Sequence, residues 1–244
     1  MADVAGRPAF YALRPGGWRD VITILHPPYT AWHLSYVVIG ATLAPHVHWD
    51  RLGAALGAFF LALGIAAHAL DELNGRPLAT QIPDRTLAAL TIVSLAGAVA
   101  IGIAGAATFD LWLLVFVGVG AALVPVYNLE LLGGRLHNDA GFALAWGSFP
   151  LLTGYFACAG TVTREALLAA GWAALLSLAQ RLLSTPVRHV RRRVVAVSGT
   201  IELRDGTREP IERATLTRAP EAALRALAAS TVGLALALVV LRAT

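Results

Sequence analysis

The 244-residue chain has no lysine, so its nineteen basic side chains are all arginine. It has a single cysteine, Cys158, which excludes an intramolecular disulfide and leaves no basis for a redox centre or a cysteine-based metal site. Charge is scarce at 14% of residues against 57% hydrophobic, and mean hydropathy is positive, a balance that fits a soluble globular domain poorly. No apolar core precedes the first long apolar run, because Met1 to Asp20 mix polar and apolar residues; that run is therefore expected to be a retained membrane helix rather than a cleaved signal. Neither a basic helix nor an aromatic stacking platform accompanies the arginines, which sets nucleic acid aside as a partner.

What is present is a series of long apolar stretches at Tyr29 to Val47, Leu52 to Leu70, Leu87 to Phe109, Leu111 to Leu129, Ala140 to Val162, Ala166 to Leu183 and Ala222 to Leu241. A helix needs roughly 20 mainly apolar residues to cross a bilayer core, so these predict a bundle of about seven transmembrane helices. With the amino terminus placed in the cytoplasm, fifteen arginines fall on that face and only Arg51, Arg164 and Arg242 on the other. The positive-inside bias thus predicts a cytoplasmic amino terminus and an outward carboxyl terminus, in what is expected to be a prokaryotic cell membrane rich in anionic lipid.

The expected organisation is an N-terminal segment over 1–28, a six-helix membrane unit over 29–183, a basic connector over 184–220 and a last helix over 221–244. Trp18 to Leu25, between Gly16-Gly17 and Pro27-Pro28, reads as a short interfacial helix. Within the connector, two β-branched runs flank Asp205-Gly206, predicting a cytoplasmic β-hairpin with a two-residue primed turn that packs on the cytoplasmic face or a partner. The fold class expected is therefore all-α, with a small hairpin inserted before the last helix.

The segment with most chemistry is His68-Ala-Leu-Asp71-Glu72-Leu-Asn74-Gly75-Arg76-Pro77, where an uncharged run ends in acids. Ionisable groups at a membrane helix are functional candidates, although a helix-end ion pair with Arg76 or Arg85 is the plainer alternative. Glu130, His137 and Asp139 sit in a later Gly-containing loop as possible acidic partners, and His46 and His48 are too few for a zinc site. Trp146, Phe149, Tyr155 and Phe156 read as packing residues, some able to line an apolar pocket.

Together with Gln81-Ile82-Pro83-Asp84-Arg85 and Pro125-Val-Tyr127-Asn128, that segment resembles the UbiA superfamily of intramembrane prenyltransferases over roughly Pro27 to Arg181. The resemblance implies transfer of a prenyl group from a prenyl diphosphate to a lipophilic acceptor. Asp71 and Glu72 would then be catalytic Mg²⁺ ligands, since Mg²⁺ takes carboxylate and phosphate oxygens. Arg76, Arg85 and Arg181 would contact diphosphate, with Asp84 auxiliary and His68, Tyr127, Asn128 and Gln180 lining the substrate cavity. That cavity is expected to open to the cytoplasm between the second, fourth and sixth spans.

Two features depart from the family. Its second acidic cluster is replaced here by Ser177-Leu-Ala-Gln180-Arg181-Leu-Leu-Ser184, and seven spans stand where nine are usual. A non-catalytic relative that binds an isoprenoid, quinone or lipid, or scaffolds a membrane partner, is the alternative that follows, with a transporter as a weaker third.

Overall fold

A computed structural model describes residues 7–244; the first six residues of the expected N-terminal segment lie outside the described residues. The chain forms α1 (Trp18–Ile24), α2 (Pro27–Leu43), α3 (Trp49–Leu73), α4 (Asp84–Thr108), α5 (Leu113–Asn128), α6 (Asp139–Ala159), α7 (Arg164–Arg193), a hairpin of β1 (Thr200–Glu202) and β2 (Arg208–Pro210), and α8 (Arg213–Ala243). Two helices change pitch midway, α3 becoming π-helical over Phe60–Ala67 and α6 over Leu144–Ser148. Among the described residues α3, α4, α6, α7 and α8 are long and apolar enough to cross a bilayer, as expected of an integral membrane protein. Seven such helices are not found: α2 and α5 coincide with apolar runs but have only 17 and 16 residues.

Local sequence sets the boundaries. Pro27 and Pro28 open α2 at positions where a missing N–H costs nothing. Asn74-Gly75 ends α3, with Gly75 at φ 100°, open to glycine and strained for other residues. Asn138 and Thr163 cap α6 and α7 by accepting from the N–H groups of Gly141 (2.8 Å) and Ala166 (3.4 Å). Glu212 and Thr215 form a reciprocal capping box at the start of α8.

α2 is the hub. Trp32, Tyr36 and Val37 are fully buried, and α6 crosses α2 so closely that a Cβ on Gly40 would collide with the Leu151 carbonyl, and one on Gly154 with that of Val37. Trp32 Nε1–H donates to the Tyr36 hydroxyl (2.6 Å), which is also bonded to Ser177 of α7 (3.1 Å), so the polar atoms at the centre satisfy one another. α8 packs on α2 and α7, and the buried Arg191–Glu221 ion pair locks its start to α7, with a 3.0 Å bond from Arg191 Nη2 to Glu221 Oε2.

The connector differs from expectation. Its first ten residues continue α7 to Arg193 and its last eight belong to α8, since their apolar and arginine residues keep helical spacing past Pro186 and Pro220. The hairpin pairs Thr200 with Pro210, but Gly206, at φ 83°, closes a three-residue loop between Leu203 and Thr207. A three-residue loop closed by a left-handed glycine stands in place of the expected two-residue turn. All six strand residues are exposed, so the ribbon does not pack its strands on the bundle.

Candidate functional site

At the arginine-rich end, α2, α3, α5, α6 and α7 surround a polar cavity of about 400 Å³. Helical spacing delivers its lining in stripes. His26, Tyr29 and His33 come from α2 and its cap, His68 and Asp71 from α3, Tyr127 and Asn128 from α5, and Gln180, Ser184, Arg188 and Arg192 at four-residue steps from α7, with Arg181 beside them. Pro8 to Tyr11 form the wall nearest the chain's start, Tyr11 packing edge-on against Tyr29 at 5.5 Å.

The cavity lining carries more positive than negative side chains. Arg181 pairs with Asp139 at 3.2 Å and lies over Phe142. Arg188 donates to the Thr185 hydroxyl (3.2 Å) and Arg192 to the Pro8 carbonyl (3.4 Å), and among the described residues neither meets a carboxylate within ion-pair distance. Against these three cations the lining offers Asp71 and, at the rim, Glu130. Positive excess in a walled cavity concentrates anions. Burial pushes the Tyr11 phenol above its ordinary value, so its hydroxyl remains a donor.

Three buried polar atoms have no hydrogen-bond partner among the described residues and belong to residues that line this same cavity: His26 Nε2, the Tyr127 hydroxyl and Gln180 Oε1. Buried polar groups are almost always hydrogen-bonded, so three such atoms around one space give it unmet hydrogen-bonding capacity open to water or a polar ligand. His26 also sits in the left-handed region at φ 45°, and backbone strain of this kind clusters at functional sites. His33 and His68 donate Nδ1–H to the carbonyls of Trp146 (2.8 Å) and Gly64 (3.2 Å). A carbonyl only accepts, which leaves each Nε2 of the neutral ring as a lone-pair acceptor.

Of the residues singled out from sequence, His68, Asp71, Tyr127, Asn128, Gln180 and Arg181 line the cavity, whereas Glu72, Arg76 and Arg85 do not. Glu72 is fully buried facing the 76–84 loop, accepting from the N–H of Leu78 (2.9 Å) and from the N–H (2.8 Å) and hydroxyl (2.9 Å) of Thr80. Arg76 pins the same loop, donating to the carbonyls of Thr80 (3.2 Å) and Ile82 (2.6 Å) and pairing with Asp84. Arg85 is exposed on the first turn of α4. Glu72 and Arg76 thus hold a loop, and Arg85 lies away from the cavity.

A magnesium cluster fits this donor set poorly. Glu72 has both oxygens committed, Asp139 is held by Arg181, and no group of three or more His, Cys, Asp or Glu suited to a metal occurs among the described residues. Asp71, with Glu130 beside His137 at the rim, leaves too few converging carboxylates for a two-ion site.

A second cavity, of about 430 Å³ and apolar, lies between α3, α4, α5 and α6 and reaches Asp50 and Arg51 at the opposite end. Leu63 and Trp146 border both spaces. Sequence reading missed His26 and Tyr29, although His26, Tyr29 and His33 repeat at three- and four-residue steps that place them on one helix face. It counted Arg188 and Arg192 among the arginines of the cytoplasmic face, where the four-residue stripe from Gln180 would have joined them to Arg181.

No family model matches the chain, and neither a curated protein nor a solved structure matches it. The UbiA resemblance therefore rests on the residues quoted for it alone.

Proposed function

We propose that this is a membrane protein that binds an isoprenoid-type amphiphile, its phosphate or diphosphate headgroup in the arginine cavity and its chain in the adjoining apolar cavity. The observation that carries the reading is the convergence of His26 Nε2, the Tyr127 hydroxyl and Gln180 Oε1, without partners among the described residues, on a space lined by Arg181, Arg188 and Arg192. Guanidinium groups match phosphate oxygens in geometry and charge, and so replace the metal that carboxylates would otherwise hold. Seven membrane crossings with a cytoplasmic amino terminus would put the cavity mouth on the cytoplasmic side, where soluble phosphate esters are found.

Transfer of the prenyl group, as UbiA-like chemistry would have it, is a second reading favoured by Asp71, the one α3 acid whose side chain lines the cavity. Binding is the part that the arginines support without it.

The test is binding of labelled geranylgeranyl diphosphate to purified protein in detergent with chelator present. The diphosphate is expected to bind at least tenfold tighter than geranylgeraniol, and Arg188→Gln or Arg192→Gln to weaken it by about tenfold, since charge-assisted hydrogen bonds are worth roughly 1.5–3 kcal/mol. Equal binding of the alcohol and the diphosphate, unchanged by either substitution, defeats the proposal. Magnesium-dependent diphosphate release that disappears in Asp71→Asn would extend binding to transfer.

A further inference from the structure

The polar and apolar cavities have two lining residues in common among the described residues, Leu63 and Trp146. Both are nearly buried and belong to one packed cluster with Val124 and Tyr127. The two spaces therefore approach each other at this pair.

Each stands on one of the two π-helical segments, Leu63 in Phe60–Ala67 and Trp146 in Leu144–Ser148. π turns are rare, pack less favourably than α turns and recur at functional sites. Here carbonyls of the π segments are taken up by histidines of the polar cavity: Trp146 accepts from His33 Nδ1 and Gly64 from His68 Nδ1. The headgroup space and the narrow point are thus built from the same hydrogen bonds. The Trp146 backbone has little room to retreat, because next to it α6 presses on α7: a Cβ on Gly147 would meet Ser177 Oγ at 2.7 Å. On its open side the Trp146 ring meets Tyr127 edge-on at 5.5 Å, and the Tyr127 hydroxyl is one of the unpartnered atoms facing the ligand space.

We infer that Leu63 and Trp146 form a constriction that the chain of the bound amphiphile threads, and that this pair determines which chain the protein accepts. The inference rests on the amphiphile reading above. Its occupant is the chain of the same ligand whose headgroup the arginines hold, because among the described residues Leu63 and Trp146 are the two that border both the polar and the apolar space.

The experiment measures, in detergent, the affinities of inorganic diphosphate and of dimethylallyl, geranyl, farnesyl and geranylgeranyl diphosphates for the wild type, Leu63→Trp and Leu63→Ala. Affinity of the wild type is expected to rise along the series. Leu63→Trp is expected to abolish that rise, lowering geranylgeranyl diphosphate affinity at least tenfold while inorganic diphosphate is unchanged; Leu63→Ala keeps the rise. Should Leu63→Trp not purify as folded protein, Leu63→Phe is read in its place, with a smaller shift in the same direction. A wild type that binds none of the probes sinks the amphiphile reading itself. Probes that bind with the same chain-length profile in all variants, or that all weaken equally, inorganic diphosphate included, overturn the constriction alone.

Discussion

At the scale of single residues, adjacent acids have opposite fates. Asp71 and Glu72 lie about 100° apart around a helix, so one faces the cavity while the other faces a loop. Glu72→Ala would leave the N–H groups of Leu78 and Thr80 unpaired in a buried loop and is expected to cost about 3 kcal/mol of stability, read as a lower unfolding midpoint in detergent. Asp71→Ala, with a half-buried side chain and no such bonds, should leave the midpoint nearly unchanged. His26 adds a pH dependence. Burial, and then the nearby His68, Arg192 and Arg188, hold its imidazole well below the usual histidine range. The unfolded chain therefore takes up a proton that the folded one refuses, and this contribution to stability, complete above about pH 6.5, is lost as pH falls through that value. The midpoint should drop between pH 7 and pH 5, and less steeply in His26→Asn, a residue that tolerates the left-handed backbone. The sequence made Asp71 and Glu72 equal candidates because it carries type and spacing, but not which side of α3 the 76–84 loop folds over. The buried polar atoms of His26, Tyr127 and Gln180 belong to three separate stretches of the chain and become visible as a group only once those stretches meet.

At the scale of elements, apolar length was legible: all seven runs read from the sequence became helices, because hydropathy alone selects long helices in a chain with so little charge. Helix ends were less so. α7 runs to Arg193 and α8 starts at Arg213, because arginines at helical spacing continue a helix beyond the apolar stretch that announces it. Pitch was not legible, since nothing in Phe60–Ala67 or Leu144–Ser148 distinguishes a π turn from an α turn. The α2–α6 crossing depends on two small residues. Gly40→Ala would set a methyl group against the Leu151 carbonyl and force the two helices apart, with an expected loss of about 1–3 kcal/mol in the same unfolding assay. α1 carries Trp18, Val21 and Ile22 exposed on one side and Asp20 and Thr23 buried on the other, the division expected of a helix lying in the bilayer surface.

At the scale of the whole molecule, the arginine bias makes one prediction of orientation. In a Cys158→Ala background, Val195→Cys at the arginine-rich end and Leu111→Cys at the other are both exposed in the fold. A membrane-impermeant maleimide should label Cys introduced at position 195 only in inverted vesicles and at position 111 only in right-side-out ones; the reverse pattern would invert the proposed topology. The Arg191–Glu221 lock has a temporal meaning as well. Arg225 of α8 lies over the Phe10 ring and Arg191 donates to the Arg7 carbonyl, so the cavity wall at Pro8 to Tyr11 rests on residues synthesised far later. Because chains emerge amino terminus first, the wall of the polar cavity at Pro8 to Tyr11 gains the last of its supports only when α8 has been made, so the cavity nearest the chain's start is the last part of the bundle to be braced.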